Sequence, residues 1–177
     1  MTTQILIAGF GGQGVLFAGK FLAYGGLISG NQDSWLPSYG PEMRGGTANC
    51  SIIISDEPVG SPIVATPDVL MVMNLPSLDK YENATVPGGK IFIDSTLIAR
   101  KGERTDVDAF YIPATKMAQD AGYPTLANMV LMGKMMKETG LGADCLEAAL
   151  KKVVSAKRAE LLEVNLKALK SGYAYEG

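Results

Sequence analysis

Short apolar runs broken by glycine and proline fill the first part of the chain, and longer segments of helical periodicity fill the rest. Ile5-Leu6-Ile7-Ala8 is wholly apolar and ends in glycines, which predicts a strand buried on both faces, as in a parallel sheet. Gly9-Phe10-Gly11-Gly12-Gln13-Gly14 follows. Val15, Leu16, Ala18, Gly19, Leu22 and Ala23 then recur at spacings of three and four, predicting a helix from Val15 to Ser29 that Gly30-Asn31 closes. Ser34 to Leu36 reads as a strand. Residues 37–46 carry two prolines and three glycines and read as a loop. Thr47 to Ser55 alternates and is rich in β-branched residues, which predicts a strand. Asp68 to Asn74, Lys90 to Asp94 and Phe110 to Ile112 predict further short strands. Leu75 to Glu82 fits a helix between the first two, and Pro87-Gly88-Gly89 a turn. Helices are predicted over Pro113 to Ala121, Asn128 to Thr139, Ala143 to Val153 and Ala156 to Leu169.

Strand, glycine turn and helix form the opening of a doubly wound fold. The predicted class is α/β: an open, mostly parallel sheet with helices on both faces and further helices at the C-terminus. Internal repeats, low-complexity tracts and linkers are missing from residues 1–177, so a single domain is expected.

Composition narrows the chemistry. Hydrophobic residues make up 47% and charged ones 19%, a globular balance. A net charge of −2 gives no push toward nucleic acid or acidic lipid. The chain has no histidine, which removes Ser-His-Asp and Cys-His catalysis and every histidine-based metal site. Its two cysteines, Cys50 and Cys145, lie far apart and cannot alone hold an iron–sulfur cluster or a zinc ion, which take about four ligands. Cys50 is expected to be a small buried apolar residue. The apolar runs fall short of the ~20 residues of a membrane helix. With no basic leader at Met1-Thr2-Thr3-Gln4, a cytoplasmic location is expected.

Two segments carry candidate chemistry. Gly9-x-Gly11-x-x-Gly14 matches the dinucleotide fingerprint, in which small residues let backbone amides approach an anion at a helix N-terminus. A nicotinamide site also needs an acid about 20 residues on, at the end of the second strand. Asp33 lies at that distance but precedes the predicted strand. Ligand contact and tight packing both remain open for these glycines. The segment from Ser38 to Gly46 places Tyr39, Glu42 and Arg44 among Gly40, Pro41, Gly45 and Gly46. Loops of this kind carry function on rigid scaffolds. Arg44 has the geometry to clamp a carboxylate or phosphate, and a Glu42–Arg44 pair that stiffens the loop is the alternative. Met129, Met132, Met135 and Met136 at helical spacing fit a core face or a partner surface. Asn128 begins that helix, reads as its N-cap, and joins the candidate residues.

These motifs together carry a resemblance. Gly-Phe-Gly-Gly-Gln-Gly-Val at 9–15 and Ser-Tyr-Gly-Pro-Glu-Met-Arg-Gly-Gly-Thr at 38–47 resemble the gamma domain of the 2-oxoacid:ferredoxin oxidoreductases. So do Thr66-Pro67-Asp68-Val69-Leu70, Pro87-Gly88-Gly89, Ile112-Pro113-Ala114-Thr115, Ala127-Asn128, Asn165 and Gly172-Tyr173. The resemblance implies a subunit, inactive alone, of a complex that oxidatively decarboxylates a 2-oxoacid to an acyl-CoA and passes electrons to ferredoxin. It implies alpha and beta partner subunits, with a ferredoxin-like delta subunit as a further one. Thiamine diphosphate, magnesium, 4Fe–4S clusters and coenzyme A are the expected cofactors of the complex, none of them bound by this chain alone. It implies that Ser38, Tyr39, Gly40, Pro41, Glu42, Arg44, Gly45 and Gly46 face a shared active-site region, with Arg44 on the substrate carboxylate or a coenzyme A phosphate. Gly9, Gly11, Gly12, Gln13 and Gly14 would meet a phosphate or pack against a partner. The Glu42-Met43-Arg44 triplet favours 2-oxoglutarate or a branched-chain 2-oxoacid over pyruvate. The small subunit of an indolepyruvate oxidoreductase, an independent nicotinamide-dependent enzyme and a stand-alone nucleotide-binding module are the alternatives. Whether the isolated chain pairs into a homodimer stays open.

Overall fold

The computed structural model of the chain describes residues 1–39 and 47–177. Strands β1 (Thr2–Phe10), β2 (Gln32–Tyr39), β3 (Thr47–Ser55), β4 (Val69–Val72), β5 (Lys90–Asp94) and β6 (Asp108–Ile112) form one sheet in the order β2-β3-β1-β4-β5-β6. β1, β4, β5 and β6 pair in parallel, whereas β3 lies antiparallel between β1 and β2. β3 therefore runs against the other strands, and the sheet is mixed but mostly parallel.

Alternation along the strands separates two apolar layers, as period-two geometry requires. Ile5, Ile7, Ile52, Met71 and Phe92 point into the larger layer. It is covered by helix α1 (Val15–Ile28) and by α3 (Ala114–Asp120), α4 (Ala127–Thr139), α5 (Leu146–Val153) and α6 (Ala159–Ala174). Leu6, Ile53, Leu70, Ile91 and Ile93 point to the other face, where Leu78 of α2 (Leu75–Tyr81) and the loop residues Val64 and Ile98 cover them. Among the described residues no helix is long and apolar enough to cross a membrane.

Three sequence expectations change. The loop expected from Pro37 begins later: Pro37, Ser38 and Tyr39 continue β2, in register with Cys50, Asn49 and Ala48. Proline is tolerated there because β2 is the edge strand, where a missing N–H need not break a ladder. The methionines do not form a partner surface, since Met129, Met132, Met135 and Met136 are at most 1% exposed. They are core because α4 is covered on several sides at once, every residue from Ala127 to Met136 being buried. Asn128 is not the N-cap of α4, a position held by Leu126 without a side-chain cap. Its side chain is drawn away to the glycine turn.

α4 meets α6 at the closest possible range. A Cβ at Gly172 would land on the Val130 carbonyl, and one at Gly133 on the Leu169 carbonyl. Lys134, 5% exposed, extends beside this crossing and donates to the Tyr175 carbonyl just past α6 at 2.9 Å, while pairing with Glu138 at 3.1 Å. A cation at a helix C-terminus offsets the negative end of its dipole.

Candidate functional site

In open α/β sheets, ligand sites form outside the carboxyl ends of the strands where the connections diverge to opposite faces. Here that point lies between β1 and β4, because α1 leaves β1 toward one face and α2 leaves β4 toward the other. The glycine motif occupies it. β1 ends at Phe10, residues 11–14 turn, and α1 starts at Val15.

Gln13, Gly9 and Gly14 have distinct packing roles. The Gln13 side chain is engaged internally: its Oε1 accepts from the Phe10 amide at 2.6 Å and its Nε2 donates to the Met73 carbonyl at 3.0 Å. It thereby ties β1 to the end of β4. Gly9 is forced by packing, for a Cβ would come within 2.6 Å of Gln13 Oε1 and 3.1 Å of Met73. Gly14 caps α1 at φ 76°, in the left-handed region, and a Cβ there would strike the Asn128 amide. Asn128 Nδ2 donates to the Gly14 carbonyl at 3.0 Å. Gly12, at φ 92°, is different, because among the described residues nothing lies within 4 Å of the position its Cβ would take. Packing thus explains Gly9 and Gly14, while Gly12 faces open space.

That open space is a cleft of about 300 Å³ lined by Phe10, Gly11, Gly12, Leu16, Phe17 and Ala48. The first turn of α1 borders it with no side-chain cap and no acidic residue. The leading amides of a helix have no intrahelical partner and carry the positive end of its dipole. The cleft therefore combines apolar walls with the weakly cationic end of a helix, a setting suited to an anionic group.

The second motif reaches the same edge. Tyr39 pairs with Ala48, Ala48 with Gly9, and Thr47 with Phe10. Both ends of the segment 40–46 thus leave the sheet beside the glycine turn. Ser38 is exposed one step earlier, opposite Asn49. Gly40, Pro41, Glu42, Arg44, Gly45 and Gly46 lie outside the described residues.

Asp33 sits elsewhere. It pairs with Ile54, which pairs with Thr3, so it is level with the start of β1 and not its end. Seven residue steps separate that level from Phe10, roughly 23 Å at strand rise. β3 also lies between β1 and β2. An acid so placed cannot meet a ribose held at the glycine turn, and the nicotinamide alternative loses its second requirement.

Two residues at strand ends escaped the sequence reading. Asn74, 3% exposed, follows β4 and caps α2 by accepting from the Ser77 amide at 2.9 Å. The Asn-Leu-Pro order before a helix was the available signal. Asp94, fully buried at the end of β5, accepts from the Thr115 hydroxyl at 2.6 Å and from the Thr96 amide at 3.2 Å. Each fixes local geometry at the carboxyl end of its own strand.

The thiols do not converge. Cys50 is fully buried in β3, and desolvation pushes its thiol up to about 12. Cys145 precedes α5, with Sγ 3.3 Å from the Gly25 carbonyl. One thiol sealed in the core and one on a distant helix end do not fit an iron–sulfur cluster.

Comparison with known proteins agrees with this geometry. The family model for pyruvate ferredoxin/flavodoxin oxidoreductase matches residues 4–175. The chain is 43% identical over 171 residues to the ketoisovalerate oxidoreductase subunit VorA of Methanothermobacter thermautotrophicus, covering 96% of this chain and 35% of that protein. It is 33% identical over 176 residues to the 2-oxoglutarate synthase subunit KorC of Methanocaldococcus jannaschii, covering 98% and 93% of the two. The chain thus spans about a third of the former relative and nearly all of the latter. The crystal structure of the gamma subunit of a keto/oxoacid ferredoxin oxidoreductase from Geobacter sulfurreducens PCA superposes with a TM-score of 0.85 at 30% identity, covering 98% of this chain and 95% of that one. The mixed sheet, the glycine turn at its switch point and the match from end to end lead to one assignment: the chain belongs to the pyruvate ferredoxin/flavodoxin oxidoreductase family.

Proposed function

We propose that this chain is the gamma-type component of an enzyme that oxidatively decarboxylates a 2-oxoacid to its acyl-CoA and passes the electrons to ferredoxin. The observation that carries the reading is that the glycine turn 9–14 and the described flanks of the second motif, Ser38, Tyr39 and Thr47, meet on one edge of the sheet, where Tyr39, Ala48 and Gly9 stand in register. Relatives that act on ketoisovalerate and 2-oxoglutarate support a branched-chain 2-oxoacid or 2-oxoglutarate as substrate, over pyruvate or indolepyruvate.

In this reading the chain contributes binding and not redox chemistry. The cleft at the start of α1 takes an anionic group of coenzyme A, and Arg44 meets the substrate carboxylate or a coenzyme phosphate. The dispersed cysteines support placing the 4Fe–4S clusters on partner chains, and the reading puts thiamine diphosphate and magnesium there as well. Alpha and beta components, and a ferredoxin-like delta component, complete the enzyme.

The test is purification of the native enzyme through a tag on this chain, followed by coenzyme A-dependent viologen reduction with 2-oxoisovalerate, 2-oxoglutarate, pyruvate and indolepyruvate. Partner chains that co-purify, with reduction driven by one of the first two acids, are the expected result. A lone chain, or an assembly inert to all four acids, would overturn the reading in favour of a stand-alone nucleotide-binding module.

A further inference from the structure

The glycine turn is held from behind by a residue of another layer. Asn128 lies in α4, 114 residues from Gly14, and is 3% exposed. Its Nδ2 donates to the Gly14 carbonyl, the same carbonyl that accepts from Ala18 in the first turn of α1. Its amide also fills the space a Gly14 side chain would need. The other amide atom, Oδ1, finds no donor among the described residues. A buried acceptor without a donor is costly, so a side chain chosen only for stability would not be an asparagine here. The α1 N-terminus meanwhile has no side-chain cap of its own.

We propose that Asn128 is a positioning residue for the anion cleft. By gripping the Gly14 carbonyl it fixes the left-handed cap and aims the first amides of α1 into the cleft. The cleft geometry is thereby set by α4 and not by the turn alone. This rests on the reading above that the cleft takes an anionic group of coenzyme A. The Oδ1 left without a donor among the described residues is the local penalty accepted for that grip.

Two variants of the purified native enzyme test it. Asn128→Leu keeps most of the volume and loses the donor without adding charge; Asn128→Ala loses both. Each is expected to raise the apparent KM for coenzyme A about tenfold, the equivalent of one hydrogen bond's contribution to binding. The KM for the 2-oxoacid and kcat at saturating coenzyme should stay within about twofold of the parent. A residue serving only stability would lower melting temperature and the amount of active enzyme with no change in either KM, and that outcome overturns the proposal. Hydrogen exchange separates its failure from failure of the site. Coenzyme A should slow exchange at residues 12–17 in the parent enzyme and less so in both variants. Equal slowing in parent and variants would overturn the role of Asn128 and leave the site standing. No slowing in the parent would overturn the site itself, and the proposal with it.

Discussion

At the residue scale, the end of the sheet away from the glycine turn carries a poorly partnered acid. Near the N-terminal edge of β2, Asp33 has a buried Oδ2 with no partner among the described residues. Burial raises its carboxyl above the usual range, only partly relieved by the Leu27 backbone. A raised folded-state value means that the fold binds the proton more tightly than the unfolded chain. The contribution of Asp33 is therefore favourable below the unfolded carboxylate value and is lost as pH rises through the folded one. Asp33→Asn should raise stability at neutral pH by about 1 kcal/mol, or 2–4 °C in melting temperature, discounted already for the partial exposure of this carboxyl. The gain should shrink as pH falls toward about 4. A gain that ignores pH would show that charge burial is not its cause. The thiols offer a second check. With Cys50 sealed and its thiol pushed to about 12, maleimide should label Cys145 alone in the native chain, and Cys50 only after unfolding. Peptide mapping that finds Cys50 labelled in native protein would mean that β3 opens.

At the element scale, the pattern of apolar positions was a good guide wherever burial came from one or two neighbours. β3 and β5 fall on the residues that alternation and apolar runs predict, and α1 ends one residue short of its predicted end. The misses share a cause, which is tertiary contact that local pattern cannot express. Pro37 reads as a breaker until β2 is known to be an edge strand. Asn128 reads as a cap until the glycine turn is known to lie beside α4. Gln13 reads only as part of a phosphate- or partner-contact loop, and its reach to the Met73 carbonyl shows once β4 is placed beside β1. The α4–α6 crossing was equally hidden, since glycines at 133 and 172 look like helix defects in sequence. In space each makes room for the other helix's backbone. Alanine at Gly172 would gain about 1 kcal/mol in helix propensity yet drive a methyl group into a carbonyl that cannot yield. Gly172→Ala should therefore lose about 3 kcal/mol of unfolding free energy in urea, with an unchanged m-value. Unaltered stability would mean that the helices are free to separate.

At the scale of the whole molecule, the sheet acts as a ruler that brings distant motifs to one edge. Register alone places the flanks of residues 40–46 beside the glycine turn, through Tyr39, Ala48 and Gly9 on one side and Thr47 and Phe10 on the other. The fold class and the opening motif could be read in the sequence because strand, glycine turn and helix are contiguous. The meeting of the glycine turn with the flanks of the second motif could not, because it depends on β3 inserting antiparallel between β1 and β2. This placement bears directly on Arg44. In the reading proposed above, a guanidinium on the segment between Tyr39 and Thr47 is suited to a second anionic group beside the one proposed at α1, within the assembled enzyme. Arg44→Ala should leave the melting temperature of this chain and the recovery of partner chains unaltered, because the strands on either side hold their own register. It should raise the apparent KM for the 2-oxoacid or for coenzyme A, or lower kcat, by roughly ten- to a hundredfold, the range expected for removing a charged hydrogen bond of about 1.5–3 kcal/mol. Which of the two constants moves identifies the group that Arg44 holds: the substrate carboxylate in the first case, a coenzyme phosphate in the second. Unchanged kinetics in a fully assembled enzyme would remove Arg44 from the site and leave the edge to the glycine turn and Asn128.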